Sequence, residues 1–132
     1  MKAAFYALHG NTFLVDLPAY ERVWEHLPDV KMKYDYANWE SCGHDALDVV
    51  RRYGNKMGHV HIKEMIRTGG RIVSQPPAGM GEVPWGKVLA FLHEHKYDGY
   101  LSLEPHMRPW LEGEGLAQNL VLSRRHIAQF LV

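Results

Sequence analysis

Four short stretches of the chain carry the signature of strands, and the stretches between them repeat their apolar residues at helical spacing. Ala3 to Leu8 is an apolar run that predicts a first strand, ended by Gly10-Asn11-Thr12. Asp16 then offers an N-cap with Pro18 in the first turn, and Tyr20, Val23, Trp24 and Leu27 recur on one helical face up to Pro28-Asp29. Val30 to Asp35 predicts a second strand, with Met32 and Tyr34 on one face and Lys31, Lys33 and Asp35 on the other. A loop through Asn38 and Gly43 leads to a helix capped by Asp45, carrying Leu47, Val49, Val50 and Tyr53 and stopping at Gly54. The third strand lies around Gly58-His59-Val60-His61-Ile62-Lys63-Glu64. Met65 to Pro84, rich in glycine and proline, predicts a long irregular segment, which in a compact domain is usually functional or mobile. A helix over Trp85 to Glu94, a strand over Tyr100 to Glu104 and a last helix over Leu116 to Leu131 complete the pattern. The apolar side of that last helix is Ala117, Leu120, Val121, Ala128 and Leu131. Strand and helix alternate four times, so the predicted fold is α/β with a parallel sheet and crossover helices.

The polar exceptions to this pattern fall at one end of it. His59, His61 and Lys63 share a strand face, opposite Val60 and Ile62. Ionisable groups on a core strand are costly unless they line a site. The first strand ends at His9, the second at Asp35, the third at His61 and Lys63, and the fourth at Glu104. Sites of parallel α/β folds form at that C-terminal edge. Asp35, His61 and Glu104 make a two-carboxylate, one-histidine set suited to a divalent cation such as Mn²⁺, Mg²⁺ or Zn²⁺, which could act as a Lewis acid on a carbonyl. Each has a plainer alternative: Asp35 could cap the loop after it, and Glu104 could pair with Lys63 or His106. Arg67 and Arg71, in the long loop, suit clamping of a phosphate or sugar hydroxyl, or are solvated loop arginines. The glycines of Ala78-Gly79-Met80-Gly81 would let backbone approach a ligand. His26, His44, His93, His95 and His126 read as surface residues.

Composition narrows the classes. The chain has 132 residues, so one domain spanning 1–132 is expected, and 46% hydrophobic content is enough for a core. Fifteen basic and fifteen acidic residues leave no net charge, which argues against a nucleic-acid partner. Nine histidines raise the expectation of metal or proton chemistry modestly. Cys42 is the single cysteine, which rules out an internal disulfide and fits a cytoplasmic location. The apolar start faintly resembles a signal peptide, but His9-Gly10-Asn11 interrupts it early, and no stretch reaches the length of a membrane span.

Several motifs, at consistent spacing over nearly the whole chain, are similar to those of the sugar phosphate isomerase/epimerase family, with its xylose isomerase-like TIM barrel. Tyr34-Asp35-Tyr36-Ala37-Asn38 resembles the family's Asp-Pro-Ala-Asn segment, and His59-Val60-His61-Ile62-Lys63-Glu64 its His-x-His-x-Lys-Asp/Glu strand. Gly79-Met80-Gly81-Glu82-Val83-Pro84-Trp85 resembles the Gly-x-Gly-x-x-x-Trp entry to the next helix, and Tyr100 to His106 the last strand with its metal-binding glutamate. The resemblance implies four βα units corresponding to the second half of a TIM barrel. It implies Asp35, His61 and Glu104 as metal ligands, and Glu104 also as acid/base. Arg67 and Asn38 take substrate-contact positions, and Lys63 and Glu64 stand at the rim where substrate groups arrive. The implied reaction is isomerisation or epimerisation of a sugar or sugar phosphate, by proton removal next to a carbonyl through a metal-bound enediolate.

Two departures qualify it. Half a barrel has two open sheet edges, so a second copy or a complementary chain is expected to complete it, unless the chain is the C-terminal part of a longer protein or a remnant. No Asp or Glu precedes Asp16, whereas the family has a glutamate on the first of these strands. Its position falls at Ala7, His9 or Gly10, and His9 could serve as a replacement ligand. The alternatives to an enzyme of this kind are a non-catalytic half-barrel that binds ligand or assembles with a complementary chain, and a metal-dependent apurinic endonuclease of the same superfamily.

Overall fold

In the computed structural model, residues 4–6, 14 and 16–131 are described. Strand β1 (Ala4–Tyr6) is followed by helix α1 (Leu17–His26), strand β2 (Lys31–Asp35), helices α2 (Tyr36–Ser41) and α3 (Ala46–Tyr53), and strand β3 (Met57–Ile62). A hairpin of β4 (Ile66–Thr68) and β5 (Arg71–Ser74) precedes helix α4 (Trp85–Glu94), strand β6 (Tyr100–Leu103) and helix α5 (Gly113–Ala128). β1, β2, β3 and β6 form one sheet in that order, with every pairing parallel. The fold is thus the predicted α/β half-barrel of four βα units.

Strand alternation separates two faces. Met32, Tyr34 and Val60 are fully buried and Ile62 nearly so, on the face packed against the helices, where Tyr20, Trp39, Val49, Val50, Trp85 and Val88 complete the core. The opposite, lumenal face carries polar groups in rows set by the register. Tyr6 pairs with Lys33, Lys33 with His59 and His59 with Tyr100; one level up, Asp35 pairs with His61 and His61 with Ser102. Residues distant in sequence therefore meet at one level of the sheet.

Local chemistry accounts for the boundaries. Asp16 caps α1 by accepting from the Ala19 amide at 2.8 Å, and Asp45 caps α3 by accepting from Asp48 at 2.9 Å. Tyr34 donates its hydroxyl to the Ala46 carbonyl at 2.9 Å, tying β2 to α3.

Several expectations are corrected. The stretch after Asp35 is the short helix α2, not a loop, because Asp35 itself supplies the N-cap by accepting from the Asn38 amide at 3.0 Å. The segment after Glu64 is not wholly irregular. Gly69 and Gly70, at φ 58° and 75°, make the two-residue turn of the β4–β5 hairpin. Gly54 is not a left-handed stop, since its φ is −55°. A Cβ there would lie 2.4 Å from the His95 ring, which sits half-buried with Nε2 2.8 Å from the Arg51 carbonyl. His126, also expected at the surface, is half-buried and lies against Gly79. In α5 the buried residues are Asn119, Ser123 and Ile127, so the predicted apolar side is the exposed one. Ser123 holds the helix in place: its hydroxyl accepts from the Ala78 amide and donates to Asn119 Oδ1, both at 2.9 Å. Among the described residues no helix is long and apolar enough to cross a membrane.

Candidate metal centre

The C-terminal ends of β2, β3 and β6 deliver Asp35, His61 and Glu104 to one point on the lumenal face. One potential ligand atom from each lies within 4.8 Å of the others. His61 Nδ1 is 2.6 Å from Glu104 Oε2 and 3.8 Å from Asp35 Oδ2. Asp35 is 1% exposed. His61 Nδ1 and Glu104 Oε2 are both sealed from solvent and neither has an aligned hydrogen bond. The two atoms are 2.6 Å apart, an ion-pair contact, and a buried imidazole nitrogen beside two carboxylates is a donor set that fits a shared cation. The donor set, one imidazole and two carboxylates, suits Mn²⁺, Mg²⁺ or Zn²⁺.

The plainer alternatives for these residues are also realised. Asp35 caps α2 with Oδ1, leaving Oδ2 for the lumen. Glu104 lies 3.4 Å from Lys63 Nζ through Oε2 and 3.5 Å from His106 Nε2 through Oε1. Burial raises the Glu104 pKa, but the close His61 ring and the charges of Lys63 and His106 outweigh it and hold the carboxyl at about 2.

Lys63, expected at the rim, is buried. Its Nζ sits 2.6 Å from Asp35 Oδ2 and donates to Asn38 Oδ1 at 2.9 Å. Asn38 Nδ2 donates to the Tyr6 hydroxyl, which in turn donates to Asp35 Oδ2 at 2.9 Å. Burial, reinforced by the Asp35 charge, pushes the Tyr6 phenol up, so it remains a donor. Sequence reasoning missed Tyr6. A tyrosine within an apolar strand, whose hydroxyl needs a partner, was the available signal. His59, one row deeper, lies 2.9 Å from the Ser102 hydroxyl; burial, with His61 and Lys33 beside it, lowers its pKa.

Glu64 is not at the rim either. It is 2% exposed, and its carboxylate accepts from the amides of Met65, Gly79 and Val83 and from Trp85 Nε1, at 2.9 to 3.0 Å. Gly79 and Val83 belong to the segment leading into α4, and Trp85 is the first residue of that helix. Arg67 is likewise engaged away from the cluster: Nη1 reaches Glu40 Oε2 at 2.9 Å and Nε reaches Glu82 Oε2 at 3.0 Å. His9 lies outside the described residues.

The family model for the xylose isomerase-like TIM barrel matches residues 6–126. The chain belongs to that family. An inosose dehydratase of Clostridium tetani is 28% identical, the match covering 61% of this chain and 32% of that protein. Among solved structures, a xylose isomerase domain protein from Alicyclobacillus acidocaldarius is similar with a TM-score of 0.69 at 22% identity, covering 98% of this chain and 50% of the other. An L-ribulose 3-epimerase gives 0.70 at 16% identity, covering 98% and 47%. The chain therefore spans about a third of the curated relatives it matches and about half of these xylose isomerase-like structures.

Proposed function

We propose that the chain carries the metal-dependent proton-transfer site of a sugar or sugar-phosphate isomerase/epimerase-like enzyme, with Asp35, His61 and Glu104 as ligands. The observation that carries this reading is the convergence of the three donors within 4.8 Å, two of their atoms buried without a hydrogen bond. A divalent ion bound there supplies Lewis-acid polarisation of a substrate carbonyl. The remaining chemistry belongs to the side chains. Glu104 is kept ionised, and Oε1, which faces His106 at 3.5 Å, is the proton acceptor for the carbon next to the carbonyl. Lys63 and Asn38 bring an ammonium and an amide beside the ligands and would orient substrate oxygens. Glu64 acts by fastening the segment before α4, and Arg67 by joining the hairpin to α2.

Dehydration of a hydroxy ketone and epimerisation beside a carbonyl share the same first step, so relatives named for either support this class. No Asp or Glu precedes Asp16, and Asp35 is already a ligand. That favours a reaction served by one base, isomerisation or elimination, over two-base epimerisation. We further read residues 1–132 as one partial barrel domain, cytoplasmic, acting on a small polyhydroxy substrate. A second copy or a complementary chain would complete the barrel.

The Lys63–Asp35 pair at 2.6 Å favours a second reading, a non-catalytic half-barrel, because it satisfies Asp35 Oδ2 without an ion. Metal analysis separates the two. On the first reading Mn²⁺ or Zn²⁺ binds and raises the melting temperature, His61→Ala abolishes both effects, and the loaded protein exchanges the proton next to a ketose carbonyl in D₂O. If neither ion binds and His61→Ala changes nothing, the enzyme reading is wrong.

A further inference from the structure

Lys63 addresses the same carboxylate oxygens as His61. Its Nζ is 2.6 Å from Asp35 Oδ2 and 3.4 Å from Glu104 Oε2, the two oxygens that His61 Nδ1 faces at 3.8 and 2.6 Å. The side chain is 5% exposed, so water screens these contacts little. Lys63 is also held from behind by Asn38 Oδ1, within a closed ring of donors that runs from Lys63 to Asn38, Tyr6 and Asp35. The ring spans β1, β2 with α2, and the end of β3, so the ammonium is built into the site rather than swinging past it.

Resting on the reading of Asp35, His61 and Glu104 as a cation site, we propose that Lys63 is a built-in competitor for the metal. Its ammonium shares Asp35 Oδ2 and Glu104 Oε2 with the dication, weakens metal binding, and stabilises the site without metal. Two carboxylates and one ammonium leave a single net negative charge for a dication to meet, where the carboxylates alone would present two. Like charges this close, in a site shielded from water, repel strongly. Lys63 is thus a positioning residue that tunes metal affinity, and the Asn38 amide is the group that keeps its ammonium close when an ion takes over the carboxylates.

The proposal predicts effects of opposite sign from one substitution. In EDTA, Lys63→Met leaves two neighbouring carboxylates without their ammonium, and the melting temperature falls. In calorimetric titration of the same full chain with Mn²⁺ alone, and separately Zn²⁺ alone, affinity rises at least tenfold. Lys63→Gln, which keeps a polar group toward Asn38 but removes the charge, raises affinity in the same direction and serves where the methionine variant does not fold. A lysine needed only for folding would lower stability and leave affinity unchanged. A lysine that presents Asp35 to the metal would lower both. Either result overturns the proposal. If the wild type binds metal, His61→Ala does not, and both Lys63 variants bind no more tightly than wild type, the competitor idea fails and the cation site stands. If wild type and both Lys63 variants bind neither ion, the cation-site reading and the proposal fail together. Binding that appears only in the Lys63 variants supports both.

Discussion

A carboxyl group sealed from water needs hydrogen-bond donors for its oxygens, and Glu64 meets four of them. Glu64→Ala would orphan all four, so a loss of about 3–5 kcal/mol in urea denaturation is expected. Were Glu64 a substrate contact instead, stability would change by less than about 0.5 kcal/mol and ligand affinity would carry the effect. Asp35 combines two tasks that substitution can separate. Asparagine caps a helix as well as aspartate, so Asp35→Asn keeps the α2 cap through Oδ1 and loses, at Oδ2, the charge facing Lys63 and the acceptor of the Tyr6 hydroxyl. Asp35→Ala loses the cap as well, and in EDTA it should cost roughly 1 kcal/mol more than the asparagine variant. Equal losses would mean that the cap contributes nothing. Asp35, His61 and Glu104 were legible because each ends a strand of recognisable pattern. Tyr6 was not, since its role depends on the β1–β2 register that brings it beside Asp35 and Asn38, and no local pattern encodes that pairing.

Among the elements, the strands and α4 were readable because period and boundary agreed: Trp85 to Glu94 is helical as its apolar spacing implies. The β4–β5 hairpin carried a local signal, Gly69-Gly70 between short apolar runs, that the surrounding glycines and prolines concealed. Both turn residues have positive φ, and nothing lies within 4 Å of an added Cβ at either. The constraint is therefore the backbone alone. Gly69→Asn, which tolerates that conformation, should unfold within about 0.5 kcal/mol of wild type, whereas Gly69→Val should lose about 1–3 kcal/mol. Equal effects in thermal unfolding would contradict the two-residue turn. Helix α5 failed in another way. The residues chosen from its apolar spacing face outward, and Asn119 and Ser123 form the attached face through the Ala78 amide. A polar clasp of this kind is invisible to hydrophobic periodicity.

At the scale of the molecule, the exposed stripe and the sheet edges would be covered together by the complement proposed for this half-barrel. Leu120 and Val121 are 39% and 49% exposed on α5, Leu131 just beyond its end is 58% exposed, and Tyr100 is 80% exposed on the lumenal side of β6. Among the described residues, β1 and β6 are the two ends of the sheet and each has one unpaired edge. A second set of four parallel βα units would pair with both edges at once, giving an eight-stranded closed sheet, and its first helix would cover the α5 stripe. The solved relatives are about twice the length of this chain, which accords with such a complement. If a second copy supplies it, sedimentation equilibrium should find the dimer at concentrations on the order of 100 µM or below. Val121→Glu, with a charge in the middle of the stripe, should then weaken association at least tenfold. The isolated subunit should keep its stability within about 0.5 kcal/mol, because the residue is already 49% exposed in it. A chain that stays monomeric at that concentration, with the glutamate variant indistinguishable from it, would eliminate closure by self-association. Addition of the complementary four βα units as a separate chain should then yield a one-to-one complex that the same substitution weakens.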